Sequence, residues 1–101
     1  MDEIKKIIQR LVEFADERDW NKFHTPKNLA MALSVEVAEL VELFQWKTPD
    51  ESWGVDIQKI ENELADIMIY TLMISYKFHI DIIGAINQKI NINKKKYPVS
   101  K

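Results

Sequence analysis

Apolar residues recur every three or four positions through nearly the whole chain, the spacing that builds one face of an α-helix. Between Asp2 and Arg18 they are Ile4, Ile7, Ile8, Leu11, Phe14 and Ala15, which predicts an amphipathic first helix with its charges outward. Asp19 to His24 breaks the period. Thr25 and Pro26 restart it as N-cap and first helical residue, and a second helix is expected from Pro26 to Trp46. A second Thr-Pro pair, Thr48-Pro49, and Gly54 mark a connection over Lys47–Gly54 that is long for a helical hairpin and suits a lid. The third helix, Val55 to Phe78, is apolar nearly all round except for a strip holding Glu63, Asp66 and Tyr70. Such a helix is buried on every side, and in so short a chain Ile69, Leu72 and Met73 are expected to face another subunit. Asp81 caps a last helix that Pro98 ends, and on it Ile82, Ile86, Lys89, Asn93, Lys96 and Tyr97 share about a third of the circumference. The expected fold is all-α, a four-helix bundle in a single domain, 1–101, completed by oligomerisation.

Composition narrows the class further. With 47% hydrophobic and 30% charged residues and only two Gly, the chain suits packed helices rather than disorder or a turn-rich sandwich. It has no Cys, so there is no disulfide frame, thiolate zinc site or cysteine nucleophile. A formal net charge of -2 provides no basic footprint for long nucleic acid. The first residues lack the apolar core of a signal peptide, and the longest apolar run, Ile67 to Ile74, falls far short of the ~20 residues that span a bilayer. A soluble, cytoplasmic protein is expected.

The second helix poses the chemical question. Leu29, Leu33, Val37, Leu40, Leu43 and Phe44 form one apolar arc, yet Glu36 falls inside it and Glu39 at its edge, while Glu42 lies a further turn round. Trp46 follows Glu39 on the same side. An ionised carboxylate in such a place needs a compensating cation or donor. Glu36/Glu39 and Glu63/Asp66 are both i, i+3 pairs, so antiparallel packing of the two helices brings four carboxylates together. Oxygen donors without sulfur suit hard cations, Mg²⁺ or Mn²⁺, and through them a phosphate ester or anhydride. The rival reading neutralises the acids with Lys89 and Lys96 inside the bundle. A di-iron centre is not expected, because neither pair has His at its fourth place. In the loop after the first helix, Trp20, Phe23 and His24 either plug the bundle end or line a pocket for a flat ligand.

Glu36-x-x-Glu39, then Glu63-x-x-Asp66, then Lys89-x-x-x-Asn93-x-x-Lys96-Tyr97-Pro98 resembles the MazG-type all-α nucleotide pyrophosphohydrolases. Arg18-Asp-Trp20, Phe23-His24-x-Pro26-x-Asn28-Leu29 and Leu43-Phe-Gln-Trp46-Lys are similar to the small dCTP pyrophosphatase branch of that family. The resemblance implies that Glu36, Glu39, Glu63 and Asp66 hold Mg²⁺ while a nucleoside triphosphate, a pyrimidine deoxynucleotide such as dCTP, is cut to monophosphate and pyrophosphate. It also implies that Lys89, Asn93 and Lys96 contact phosphates or sugar, and that Tyr97 or Tyr70 adds a phenol. His24, Asn28 and Trp46, with Trp20 behind them, would form the base pocket. Lys96 stands where family members often carry Arg, and supplies charge without the bidentate fork. Homodimers or homotetramers are implied, with no membrane partner. The alternatives are the same chemistry on dUTP or phosphoribosyl-ATP, or a non-catalytic nucleotide-sensing or oligomerisation module.

Overall fold

The structure, a computed structural model, describes residues 2–100. Five α-helices, α1 (Glu3–Glu17), α2 (Pro26–Glu42), α3 (Pro49–Ser52), α4 (Ile57–Lys77) and α5 (Ile82–Lys96), are joined by loops, with one 3₁₀ turn at Asn21–Phe23. No strand occurs among the described residues. The expected all-α class holds, with α4 as the element on which α2 and α1 both pack.

Caps legible in the sequence start these helices. The Thr25 hydroxyl accepts from the Asn28 amide at 3.2 Å with Pro26 behind it, and Asp81 accepts from the Gly84 amide at 3.1 Å. α1 and α4 end on Asp19 and His79, both with φ of 56°. The amides of Trp20 and Ile80 then reach back to the Ala15 and Ser75 carbonyls, closing the C-terminal turn around a left-handed residue.

α2 stops four residues before Trp46. Pro49 holds Thr48 extended, and the chain tightens into short bonds such as Lys47 amide to Phe44 carbonyl. The Lys47–Gly54 connection read as suiting a lid contains α3. Thr48 and Glu51 exchange side-chain to backbone bonds as a capping box, which holds the Glu51 carboxyl below its ordinary range.

Ala15, Leu29 and Met73 form the core centre, with Leu11, Ile69, Tyr70 and Ile74 packed around them. Ser75 is buried too, and its hydroxyl is satisfied by the Thr71 carbonyl at 2.9 Å. Leu72 and Met73 are only 3% and 4% exposed and Ile69 packs on the core, so the face expected to meet a partner is used within the protomer. α1 occupies that side of α4. The open apolar face is formed by Leu64 and Met68 of α4 with Met31, Val35 and Val41 of α2, all about half exposed. Val37, placed in the buried arc by periodicity, is likewise exposed.

α5 leaves α4 at 101° and buries none of its residues. The radius of gyration, 16.7 Å, exceeds the ~13 Å of a compact chain of this length. No single helix among the described residues is long and apolar enough to cross a membrane. Leu29, 1% exposed where α2 meets the core, sets the main packing contact. Leu29→Ala should destabilise the protein by about 3 kcal/mol in urea titration, the range for emptying a closed core site.

Candidate active site

The pairing of α2 with α4 puts the two acid pairs opposite each other. Glu36, Glu39 and Glu63 each offer a carboxylate oxygen within 4.8 Å of the others. Glu36 and Glu63 are half-buried, and each has an Oε2 shielded from solvent without a hydrogen-bond partner. Native structures seldom leave such acceptors orphaned. Among the described residues, ion pairs occur only between Arg18 and Glu17 and between Lys22 and Asp19. The rival reading, neutralisation by Lys89 and Lys96 within the bundle, is therefore not what this protomer does.

Crowding shows in the proton affinities. Burial pushes the Glu36 carboxyl up to about 7, reinforced by a hydrogen bond with Glu39 and by the charges of Glu39, Asp66 and Glu63. Burial also raises Glu63, with Glu39 again contributing. Orphaned oxygens, converging carboxylates and reluctance to ionise fit a hard divalent cation held by Glu36, Glu39 and Glu63, with Asp66 beside them.

Asp66 also lines a cavity of about 450 Å³ between α1 and α4. Trp20 and His24 close one end, Tyr70 stands beside Asp66, and the remaining wall is Leu11, Phe14, Ala15, Ile69 and Met73. Phe14 and Trp20 meet edge to face at 5.6 Å, and Arg18 lies 3.6 Å above the Phe14 ring, so the aromatic end is braced from outside. His24 lies edge-on to Trp20 at 6.5 Å. Burial first, then the nearby Lys77 charge, lowers the His24 pKa, so the ring is neutral at pH 7. Its Nδ1 is shielded and unpartnered. Of the loop residues Trp20, Phe23 and His24, the first and last line the cavity and Phe23 does not.

Six expected site residues lie elsewhere. The Asn28 side-chain Nδ2 donates to the Phe23 carbonyl at 3.0 Å, holding the loop that carries His24. Trp46 is 89% exposed and does not line the cavity. Lys89, Asn93 and Lys96 ride on α5, and Tyr97 follows its last residue. The helical rise and the α4–α5 angle put Lys89 on the order of 20 Å from Asp66 in the same protomer. Conversely, Leu11, Phe14, Ile69 and Met73 line the cavity without having been singled out, because their periodicity is that of ordinary core.

In metal-free protein, Glu36 keeps its proton when folded over a pH range in which the unfolded chain has lost it. The stability this supplies is complete near pH 4 and is lost as pH rises through about 7. The melting temperature without metal should therefore fall across this interval, and Glu36→Gln should flatten the fall. Differential scanning calorimetry in chelator checks both.

Residues 31–101 match the MazG-like family. The dCTP pyrophosphatases 1 of Mus musculus and Homo sapiens are each 43% identical to the chain, over 98 and 97 residues. These matches cover 91% and 90% of the chain but 58% and 57% of those proteins, so the chain spans little more than half the length of the curated relatives. A crystal structure of a pyrophosphatase from Archaeoglobus fulgidus superposes with a TM-score of 0.93 at 41% identity, covering 98% of this chain and 95% of that one. With a family match across most of the chain and these identities, the protein belongs to the MazG-like family.

Proposed function

We propose that the protein hydrolyses a nucleoside triphosphate, dCTP or a modified pyrimidine deoxynucleotide, to the monophosphate and pyrophosphate, with Mg²⁺ as cofactor. The observation that carries this reading is that Asp66, whose charge acts on Glu36 and Glu63, lines a cavity of base size beside the converging, under-compensated carboxylates Glu36, Glu39 and Glu63. A phosphate end and a base end thus adjoin. The names of the relatives, dCTP pyrophosphatase 1 and pyrophosphatase, support the same chemistry.

Glu36, Glu39, Glu63 and Asp66 would hold the metal, which when bound would supply charge neutralisation of the triphosphate and polarisation of the scissile anhydride. The carboxylates orient the attacking water towards the α-phosphorus, in line with the departing pyrophosphate, and accept its proton. Trp20 and Phe14 grip the base as a flat apolar body. The neutral His24 and the Tyr70 hydroxyl provide hydrogen bonds at its edge, where discrimination arises. Lys89, Asn93, Lys96 and Tyr97 contact phosphate or sugar, and Trp46 covers the base. Their distance from the acids, or exposure, in one protomer supports a working form in which a second copy supplies them, a homodimer or homotetramer. The open face of Leu64, Met68, Met31, Val35 and Val41 is the surface such a copy covers. A Cys-free chain suits the cytoplasm.

The test is pyrophosphate release from a panel of deoxy- and ribonucleoside triphosphates, with Mg²⁺ and with chelator. Chelator-sensitive release favouring dCTP is expected. Release from another nucleotide would retain the mechanism and overturn the base assignment, whereas no release would move the reading to a phosphoribosyl substrate or to a non-catalytic nucleotide-sensing module. Glu39→Gln should lower kcat by at least about 10²-fold with helical content intact. Trp20→Ala should raise KM more than it lowers kcat, which steady-state kinetics on the preferred nucleotide will show.

A further inference from the structure

Among the lysines and arginines of the described residues, Lys77 alone is not exposed. It sits half-buried in the last turn of α4, and the ion pairs of the described residues, Arg18 with Glu17 and Lys22 with Asp19, leave it out. A lysine here favours the helix dipole and covers apolar surface with its stem, but neither role requires this particular side of the helix.

That side is the cavity's. On the helical wheel Asp66, Tyr70, Met73 and Lys77 fall within a strip about 60° wide, and the first three line the cavity. Helical side chains lean towards the N-terminus, so the Lys77 stem runs back over Met73 rather than away from it. The second helix arrives at the same place. α2 and α4 run antiparallel, with Leu29 and Met73 in one core cluster and Glu39 bonded to Glu63. One turn further along that register, Thr25 stands opposite Lys77, which brings His24 beside it. The Lys77 charge accordingly acts on the His24 ring. Lys77 follows Asp66 by ~16 Å along the axis, so it belongs to the end of the cavity remote from the acids.

A nucleotide with its phosphates at the acids points the outer edge of its base towards this end. An ammonium can only donate, whereas a neutral imidazole keeps one nitrogen as acceptor, and His24 Nδ1 has no partner within the protein. Cytosine presents a donor, its exocyclic amine, followed by two acceptors, N3 and O2. Uracil and thymine present O4 and then N3–H, which would set lone pair against lone pair and N–H against ammonium.

We propose that Lys77 is a specificity-determining residue, its ammonium donating to N3 and O2 of cytosine while His24 accepts from the exocyclic amine. This rests on the nucleotide reading above and names the residue that separates cytosine from uracil.

Lys77→Met keeps the stem and removes the charge. Isothermal titration calorimetry with dCMP and with dUMP, both in Mg²⁺, reads the consequence without hydrolysis. The unmodified protein should bind dCMP at least about tenfold more tightly than dUMP, the range for a hydrogen bond to a charged group. Lys77→Met should bring the ratio close to one with far-ultraviolet dichroism retained, and Lys77→Arg should restore most of it. Lys77→Gln reads the same ratio should Lys77→Met lose helicity. A stem or dipole role would weaken both ligands alike, so an unchanged ratio would overturn the assignment, as would the absence of any dCMP preference in the unmodified protein. Pyrophosphate release from dCTP with an unchanged ratio sinks this assignment and spares the reaction. A Lys77-dependent preference without release does the reverse.

Discussion

The confrontation of carboxylates between α2 and α4 is the constraint around which the rest of the protein is arranged. Helix pairing by apolar residues alone would not select a register that forces Glu36, Glu39 and Glu63 within 4.8 Å of one another. The register holds because Leu29 and Met73, with Ile69, Tyr70 and Ile74 around them, lock the two helices and α1 together from the other side of the acids. Packing enthalpy and the hydrophobic effect thus maintain an electrostatically unfavourable array, as expected where function rather than stability sets the local sequence.

Half of this arrangement is visible in the sequence and half is not, for reasons that can be named. Thr25-Pro26, Thr48-Pro49 and Asp81 act through bonds within one helical turn, so their effects can be read locally. The acid pairs are likewise defined by a three-residue spacing, and their meeting requires only that two neighbouring helices run antiparallel. What periodicity cannot decide is which side of an all-round apolar helix is taken by the chain itself. Leu72 and Met73 look as available to a partner as Leu64 and Met68 until α1 is placed. The same indeterminacy hides the cavity, because Leu11, Phe14, Ile69 and Met73 would show the same spacing in a solid core. The early end of α2 at Glu42 was hidden by Leu43, Phe44 and Trp46, which continue an apolar helical period although the backbone has already begun to turn.

The protomer divides into a locked part and an unfinished part. α1, α2 and α4 enclose the acids and cavity, whereas α5 carries cations and isoleucines with no buried residue to hold them in place. Functional side chains on an element without its own packing acquire fixed positions only through what that element docks against. α5 is joined to the locked part through one short corner, His79–Ile80, after α4.

Asp66, Tyr70 and Met73 span the passage from the acids into the cavity, and all three belong to one unbroken helix. Their separation along the axis, ~10 Å, follows from a rise per residue that is the same in every α-helix. α4 therefore works as a gauge whose length no loop movement alters. Any ligand reaching from the acids into the cavity would have to match this spacing, so molecular length would count before any hydrogen bond is compared.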